Sequence, residues 1–236
     1  MTPFAAELIG TAILLLLGTG VVANVGLKHT TGANSGWIVI TIGWAMAVFT
    51  GVFITASASG AHLNPAVTLA LALTGKFDWS QVPVYWAAQL IGAIIGAGLT
   101  WLTYKKHYDA TEDAGAIKGT FCTAAAISHR WYNLVTEAIG TFLLVFGVLL
   151  IAAPDSSLGA LDALPVALLV LAIGLSLGGP TGYAINPVRD LGPRIVHAIL
   201  PIPHKGSSDW GYSWIPVLGP MAGSAAAAGV FNLLIQ

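Results

Sequence analysis

The sequence predicts an all-α membrane protein with six transmembrane helices, two half-helices that meet at the membrane midplane, and an inverted internal repeat. Three observations carry this prediction: a composition poor in charge, long uncharged stretches, and two copies of an Asn-Pro pair. The 236-residue chain is 56% hydrophobic and 8% charged, whereas about a quarter of the residues of a soluble domain are charged. Its mean hydropathy is +0.81. The formal charge of −1 offers no basic surface, so we expect no nucleic-acid partner.

Six uncharged stretches are the candidate spans. They cover residues 8–27, 30–75, 79–104, 138–154, 163–188 and 210–236. Each can hold the roughly 20 residues that cross a hydrocarbon core, provided that the fourth begins before Glu137. The first turn lacks the basic residues of a secretory signal, so we expect the N-terminus to be retained. We therefore predict six spanning helices.

Two shorter apolar segments each begin with an Asn-Pro pair. Asn is favoured at a helix N-cap and Pro at the first helical position, so helices are predicted to begin at Pro65 and Pro187. At 1.5 Å per residue, the helix over 65–73 is about 13 Å long, under half the thickness of the core. The turn-rich segments before them, 57–62 and 178–183, cannot face lipid because unpaired backbone groups are costly there. They must line a cavity or pack against protein.

The chain contains an internal repeat. The pattern Glu-x-x-Gly-Thr occurs at 7–11 and at 137–141, and the Asn-Pro pair occurs once in each half. Each copy holds three spans with a half-helix between the second and third, and because three is odd the second copy must cross the membrane in the opposite direction. We expect a single transmembrane channel domain over 1–236. Its repeats lie at about 1–104 and 131–236, joined by a polar loop over 105–130.

These motifs carry a family resemblance. The segments SGAHLNPAV at 59–67 and TGYAINPVRDLGPR at 181–194, in six spans with Glu-x-x-Gly-Thr opening each half, resemble the aquaporin superfamily. The Arg189-Asp190 pair resembles the bacterial glycerol-facilitator, or aquaglyceroporin, branch. One departure is Val188, which stands where alanine is usual. The resemblance implies an aquaporin-like fold in the plasma membrane, a homotetramer with one pore per subunit, and cytoplasmic termini.

The two Asn-Pro motifs are predicted to form the pore midplane. Each Asn side chain offers two N–H groups to a permeant, although either residue alone could be a plain helix cap. The midplane residues are Asn64, Pro65, Ala66, Asn186, Pro187 and Val188. The backbone beside them is expected to line the pore at Gly60, Ala61, His62, Gly182 and Ala184. His62 could instead hold its loop.

The resemblance implies a selectivity filter formed by Trp44, Gly174, Tyr183 and Arg189. Arg189 lies in an apolar region, where a charge is costly and is by default a functional candidate. The alternative is an ion pair with Asp190. Gly174 stands where water-selective relatives resemble one another in having a histidine, and it leaves space for a larger solute. Alternatively, it only allows close helix packing.

Tryptophans divide into two groups by their position in the predicted spans. Trp44 lies about 10 Å into its span if that helix begins near Trp37, so a role in the pore or core is favoured over an interfacial one. A lipid-facing position is the alternative. The tryptophans near span ends are expected to form aromatic belts. They are Trp37, Trp79, Trp131, Trp210 and Trp214.

Two acidic residues, Glu7 and Glu137, occupy equivalent positions of the repeat in apolar surroundings. They could couple transport to protons, or they could accept hydrogen bonds from the irregular backbone before each half-helix. We favour the structural role, and we expect Asp190 to be structural as well.

The predicted function is a passive channel for water and small uncharged polar solutes that excludes ions and protons. Glycerol fits the filter, as do dihydroxyacetone, urea and undissociated lactic acid. The alternatives are a water-selective aquaporin, which Gly174 disfavours, and a proton-coupled secondary transporter. No catalytic or metal-ligand pattern is present in the sequence, so we expect no enzymatic activity, no cofactor and no metal. Cys122 is the single cysteine, which excludes a disulfide within the chain.

The charge distribution conflicts with the orientation that the resemblance implies. On the side of the termini, the connecting segments carry only Lys76. The opposite side carries Lys28, Lys105, Lys106, Lys118, Arg130 and Lys205 besides Arg189 and Arg194. The positive-inside rule would place the termini outside. We follow the resemblance, because the filter belongs at the outer mouth.

Overall fold

The computed structural model describes residues 1–151 and 159–235, and all regular secondary structure in these ranges is helical. The α-helices are α1 (Pro3–Gly26), α2 (Trp37–Ser59), α3 (Pro65–Leu73), α4 (Val82–Thr103), α5 (Lys105–Ala110), α6 (Ala114–Phe121), α7 (Arg130–Leu150), α8 (Leu164–Leu177), α9 (Pro187–Ile199) and α10 (Ile215–Ile235). Short 3₁₀ turns at Trp79–Gln81 and Gly159–Ala163 precede α4 and α8. The predicted fold class is confirmed.

Five helices of the described residues are long and apolar enough to cross a membrane: α1, α2, α4 with its 3₁₀ turn, α7 and α10. The fifth predicted span, 163–188, is different, because α8 has 14 residues and ends at Leu177. The backbone after Leu177 is not helical, since it forms the segment that leads into α9. Residues 152–154 of the fourth predicted span lie outside the described residues. The protein is a multi-pass membrane protein.

The half-helices α3 and α9 begin where the sequence predicts, at Pro65 and Pro187. The two segments before them share an unusual backbone. Left-handed φ angles occur in the first copy at Gly60, Ala61 and Leu63, and in the second at Gly182, Tyr183 and Ile185. Each such conformation costs a non-glycine residue about 1 kcal/mol or more, so other contacts must hold these segments in place.

Small residues bring the helices of each copy close together. On α4, Gly92 and Gly96 face backbone atoms of α1, and a side-chain Cβ at either glycine would overlap them. On α10, Gly223 meets backbone atoms of α7 in the same way, and Gly219 lies against the Glu137 Cβ of that helix. Close backbone approach of this kind is the usual basis of helix packing in membranes.

The connecting segment 105–130 is more ordered than the predicted polar loop. It contains α5 and α6, and Asp113 caps α6 by accepting hydrogen bonds from the N–H groups of Gly115 and Ala116 at 2.8 and 3.1 Å. Tyr108, Ile117 and Phe121 are buried. This part of the chain therefore packs against the helices instead of extending into solvent.

Candidate conduction pore

The two half-helices meet through their cap residues. Asn64 Oδ1 accepts a hydrogen bond from the N–H of Ala66 at 2.9 Å, and Asn186 Oδ1 accepts one from that of Val188 at 3.2 Å. Each amide nitrogen then crosses to the other copy. Asn64 Nδ2 donates to the Ile185 carbonyl at 2.8 Å, and Asn186 Nδ2 donates to the Leu63 carbonyl at 2.9 Å. Because an amide nitrogen carries two hydrogens, each Asn retains a second donor.

Both Asn side chains line a cavity of about 160 Å³. Its wall combines polar groups from the half-helix starts with aliphatic side chains from α1, α2, α3, α7 and α8. The aliphatic side chains are Leu14, Val48, Val52, Val67, Leu71, Leu144, Val148, Val166 and Val170. Sequence analysis did not single them out, because nothing in an apolar helix of a membrane protein distinguishes a cavity-facing residue from a lipid-facing one.

Three of the four predicted filter residues line this cavity: Trp44, Tyr183 and Arg189. Arg189 is 7% exposed, and its Cζ lies 4.1 Å from the centroid of the Trp44 ring, which is a cation–π contact. Within the described residues, the Arg189 guanidinium donates no hydrogen bond. The Trp44 Nε1 is also buried without a partner there. The guanidinium N–H groups of Arg189 are donors that a polar solute in the cavity can use.

Asp190 does not hold Arg189. Its carboxylate pairs with Arg194, whose Nε donates to Oδ1 at 2.7 Å and whose Nη2 donates to Oδ2 at 3.0 Å. Both side chains are fully buried. The Thr123 N–H and hydroxyl also donate to Asp190, each at 2.7 Å. Asp190 therefore forms its ion pair with Arg194 and not with Arg189. The Arg189 side chain lines the cavity instead.

Arg194 ties α9 to two neighbouring loops. Its Nη1 donates to the carbonyls of Ser208 and Asp209, and its Nη2 donates to that of Thr123. The sequence identifies Arg194 only as a charged residue and does not predict this role. The available signal was the spacing of Asp190 and Arg194, four residues apart on a helix, which places the two side chains side by side.

Gly174 does not line the cavity and instead makes room for Tyr183. A Cβ added at Gly174 would lie 2.8 Å from Tyr183 Cζ, closer than such atoms approach. Tyr183 is 5% exposed and faces the cavity. The space predicted at Gly174 is thus filled by Tyr183, another of the predicted filter residues.

The remaining predicted residues divide into those at the cavity wall and those behind it. Gly60, Ala61, His62 and Ala184 line the cavity, whereas Gly182, Pro65, Ala66, Pro187 and Val188 are not among its lining residues. The His62 Nδ1 lies 3.1 Å from the Thr68 hydroxyl, and the His62 ring packs against Phe77 and Tyr85 with centroid distances of 4.7 and 4.8 Å. His62 therefore both holds its loop and faces the cavity.

Glu7 accepts hydrogen bonds from the segment before α3. Its Oε1 accepts from the Ser59 hydroxyl at 2.7 Å and the His62 N–H at 2.9 Å, and its Oε2 accepts from the Leu63 N–H and Gln89 Nε2, both at 2.8 Å. Glu7 is not a cavity-lining residue. Its contacts satisfy backbone donors that no helix or strand uses.

Glu137 makes the equivalent contacts before α9. It accepts from the Thr181 hydroxyl at 2.6 Å, the Ala184 N–H at 3.0 Å and the Ile185 N–H at 2.9 Å. It too lies away from the cavity wall. Both glutamates thus accept hydrogen bonds from the backbone before a half-helix, and their structural role stays a prediction.

These features define a channel protein. Membrane-spanning helices surround a cavity, and polar groups line it where the two half-helices begin. A family model described as "Major intrinsic protein" matches residues 1–231. The chain belongs to the major intrinsic protein family, which confirms the family predicted from its motifs.

Individual relatives agree with this assignment. The chain is 53% identical over 228 residues to glycerol uptake facilitator protein 3 of Lactiplantibacillus plantarum, covering 97% of this chain and 95% of the relative. It is 38% identical over 227 residues to a D/L-lactic acid transporter of the same organism, covering 94% and 93%. The X-ray structure of the aquaglyceroporin from Plasmodium falciparum matches with a TM-score of 0.87 and 33% identity, covering 98% of this chain and 95% of that one.

Proposed function

We propose that this protein is a passive plasma-membrane channel for glycerol, water and similar small uncharged polar solutes. The observation that carries the proposal is the Arg189 guanidinium, which is buried over the Trp44 ring and whose N–H groups donate no hydrogen bond to any described residue. Such a pair offers a solute hydrogen-bond donors beside an apolar ring. Glycerol has hydroxyls along a carbon chain and fits that pairing. The relatives named as glycerol facilitators support the same solute.

The rest of the cavity extends this amphipathic pairing inward. Beyond the filter, the second N–H of Asn64 and of Asn186 can replace water at the solute hydroxyls, while valine and leucine side chains contact its carbons. A polar solute loses little when each hydrogen bond to water is replaced by one to protein. Dihydroxyacetone and urea are expected to pass by the same means.

Undissociated lactic acid is a further expected permeant. The relative named as a D/L-lactic acid transporter supports it. The neutral acid has a hydroxyl and a carboxyl group on a three-carbon chain, and glycerol has three hydroxyls on a chain of the same length. The lactate anion would have to lose its hydration in an apolar-walled cavity, which costs far more than a few hydrogen bonds return. We therefore propose that the channel carries the acid and refuses the anion.

We further propose a homotetramer with one pore per subunit and with both termini in the cytoplasm. The family resemblance supports both features. Large apolar side chains such as Ile38, Phe53 and Leu102 are exposed on the outer faces of α2 and α4 and need lipid or another subunit to cover them. Native mass spectrometry in detergent tests the tetramer, and protease accessibility of tagged termini in intact cells tests the orientation.

Stopped-flow light scattering on proteoliposomes tests the proposed channel. Glycerol uptake should rise linearly with concentration and should not respond to a proton gradient. Saturable uptake driven by that gradient would indicate a secondary transporter, and water flow without glycerol flow would indicate a water-selective aquaporin.

A matched pair of variants shows whether flux uses this cavity. Val170 lines it, so V170W should abolish glycerol uptake. Leu168 lies two residues earlier on α8 and is 51% exposed, so L168W should conduct as the wild type does. Equal fluxes through the two variants would place the pathway elsewhere.

A further inference from the structure

We propose that Trp37 is a positioning residue for the selectivity filter, and that it limits the size of permeating solutes by holding Tyr183. The inference rests on the proposed function as a solute channel. Trp37 is the first residue of α2, where sequence analysis assigned it to an aromatic belt. It is 41% exposed, so one side is free while the other contacts protein.

The buried side of Trp37 contacts Tyr183. The two ring centroids are 5.7 Å apart and the rings are inclined at 78°, an edge-to-face arrangement. Aromatic pairs of this geometry contribute about 0.5–1.5 kcal/mol beyond the area they bury. Trp37 is not among the cavity-lining residues, whereas Tyr183 is. Tyr183 therefore lies with one part of its surface toward the solute pathway and another against Trp37.

The indole N–H fixes Trp37 to the end of α8. Trp37 Nε1 donates to the Gly174 carbonyl at 3.1 Å. This carbonyl is one of the last four of α8, which have no amide partner within the helix. Trp37 thus joins the start of α2 to the glycine that accommodates Tyr183.

A second glycine completes the contact. A Cβ added at Gly178 would lie 2.6 Å from Tyr183 Cδ1 and 2.7 Å from Trp37 Cζ2. The two rings therefore pack together over the part of α8 and its cap where Gly174 and Gly178 lack side chains, and the edge of Trp37 fills the space beside Gly178.

Tyr183 depends on this packing because its hydroxyl does not anchor it. The hydroxyl is buried and has no hydrogen-bond partner among the described residues. The Tyr183 backbone is also in a left-handed conformation, with φ of 38°. Without the Trp37 ring, Tyr183 gains space on the side away from the cavity, and neither glycine blocks its withdrawal. The filter is then expected to widen.

The test measures the erythritol and glycerol permeabilities of proteoliposomes by stopped-flow light scattering. The ratio of the two permeabilities is then compared between the wild type and each variant. Erythritol is one carbon longer than glycerol. In W37A the ratio of erythritol to glycerol permeability should rise about tenfold. This value is the lower end of the change in discrimination that one methylene group causes in an apolar pocket. W37F keeps a ring against Tyr183 but loses the indole N–H, so its ratio should rise less. W131A is the matched control, because Trp131 is 64% exposed at the start of α7, and its ratio should stay unchanged.

A double-mutant cycle shows whether Trp37 acts through Tyr183. In a Y183L background, W37A should add no further change in the ratio. An unchanged ratio in both W37A and W37F, or an equal rise with and without Tyr183, would overturn the inference. If W37A does not fold, W37F decides by the same comparison. Absence of glycerol flux in the wild type would instead overturn the proposed function, and the inference with it.

Discussion

Two arginines five positions apart in α9 have the same charge but different surroundings. Arg194 has its guanidinium bonded to Asp190 and to backbone carbonyls, whereas Arg189 has the face of Trp44 and the cavity. An unpaired charge in a membrane is costly and is kept where it serves a permeant or a partner. Arg189 is therefore the residue whose loss should affect flux, and Arg194 the one whose loss should affect folding.

Replacing Arg189 by methionine should lower glycerol permeability about tenfold, because a hydrogen bond from a charged donor contributes about 1.5–3 kcal/mol. Methionine has a similar length and remains compatible with packing on Trp44. The measurement is glycerol uptake by proteoliposomes, normalised to folded protein. Glycerol permeability equal to that of the wild type would show that Arg189 does not contact the solute.

Replacing Arg194 by methionine should destabilise the protein by about 3 kcal/mol, because it leaves the buried carboxylate of Asp190 without its cation. Denaturant titration of the purified protein in detergent measures the change. R130M is the matched control, since Arg130 is exposed at the start of α7. Equal stabilities of the R194M and R130M proteins would contradict the assigned role.

At the scale of the element, each half-helix depends on the segment before it, and a glutamate near the start of the same repeat holds that segment. Glu7 and Glu137 accept hydrogen bonds from corresponding residues of the two copies, and Glu7 also accepts one from Gln89. A carboxylate suits this position because it only accepts hydrogen bonds. The left-handed residues beside the pore are retained because these bonds offset their conformational cost.

Glu137→Gln should destabilise the protein by about 2 kcal/mol. The NH₂ group of the glutamine amide would face backbone N–H groups that now donate hydrogen bonds to Glu137, and two donors cannot pair. Thermal unfolding in detergent measures this loss. E112Q is the control, since the Glu112 side chain is 75% exposed. If E137Q instead kept full stability and made glycerol uptake depend on a proton gradient, Glu137 would have a coupling role.

Local chemistry made the half-helix starts and most spans predictable. The start of a helix at Asn64-Pro65 follows from two adjacent residues, and a span follows from its hydropathy. The short α8, the folded segment with α5 and α6, and the bonds of Arg194 were not predictable, because each depends on contacts between segments far apart in the chain. The same is true of Gly174, whose role depends on where Tyr183 lies.

At the scale of the whole molecule, the facing half-helices give the pore its charge selectivity. Two helix N-termini of about +0.5 charge each, roughly 5 Å from a cation at an effective dielectric of about 20, repel it by about 3 kcal/mol. That repulsion alone gives about two decades of exclusion, and the loss of ion hydration must supply the rest. Anions are attracted by the helix ends and by Arg189, so only dehydration excludes them.

Lactic acid flux is therefore predicted to follow the neutral acid. Above the pKa of the acid, each added pH unit lowers the neutral fraction about tenfold, so uptake should fall tenfold per unit as pH rises. Intraliposomal acidification at constant total lactate measures the flux. A flux that stayed constant across this pH range would show that the anion permeates.

We expect the packing of Tyr183 against Gly174 to set solute selectivity. The most direct test compares the glycerol-to-water permeability ratio of G174H with that of G179H in proteoliposomes. A side chain at position 174 must displace Tyr183 from α8 toward the cavity that Tyr183 lines, which narrows the filter, whereas a Cβ at Gly179 meets no described atom within 4 Å. We predict that G174H abolishes glycerol uptake while water still flows, and that G179H keeps the wild-type ratio. An unchanged ratio in folded G174H would contradict the claim.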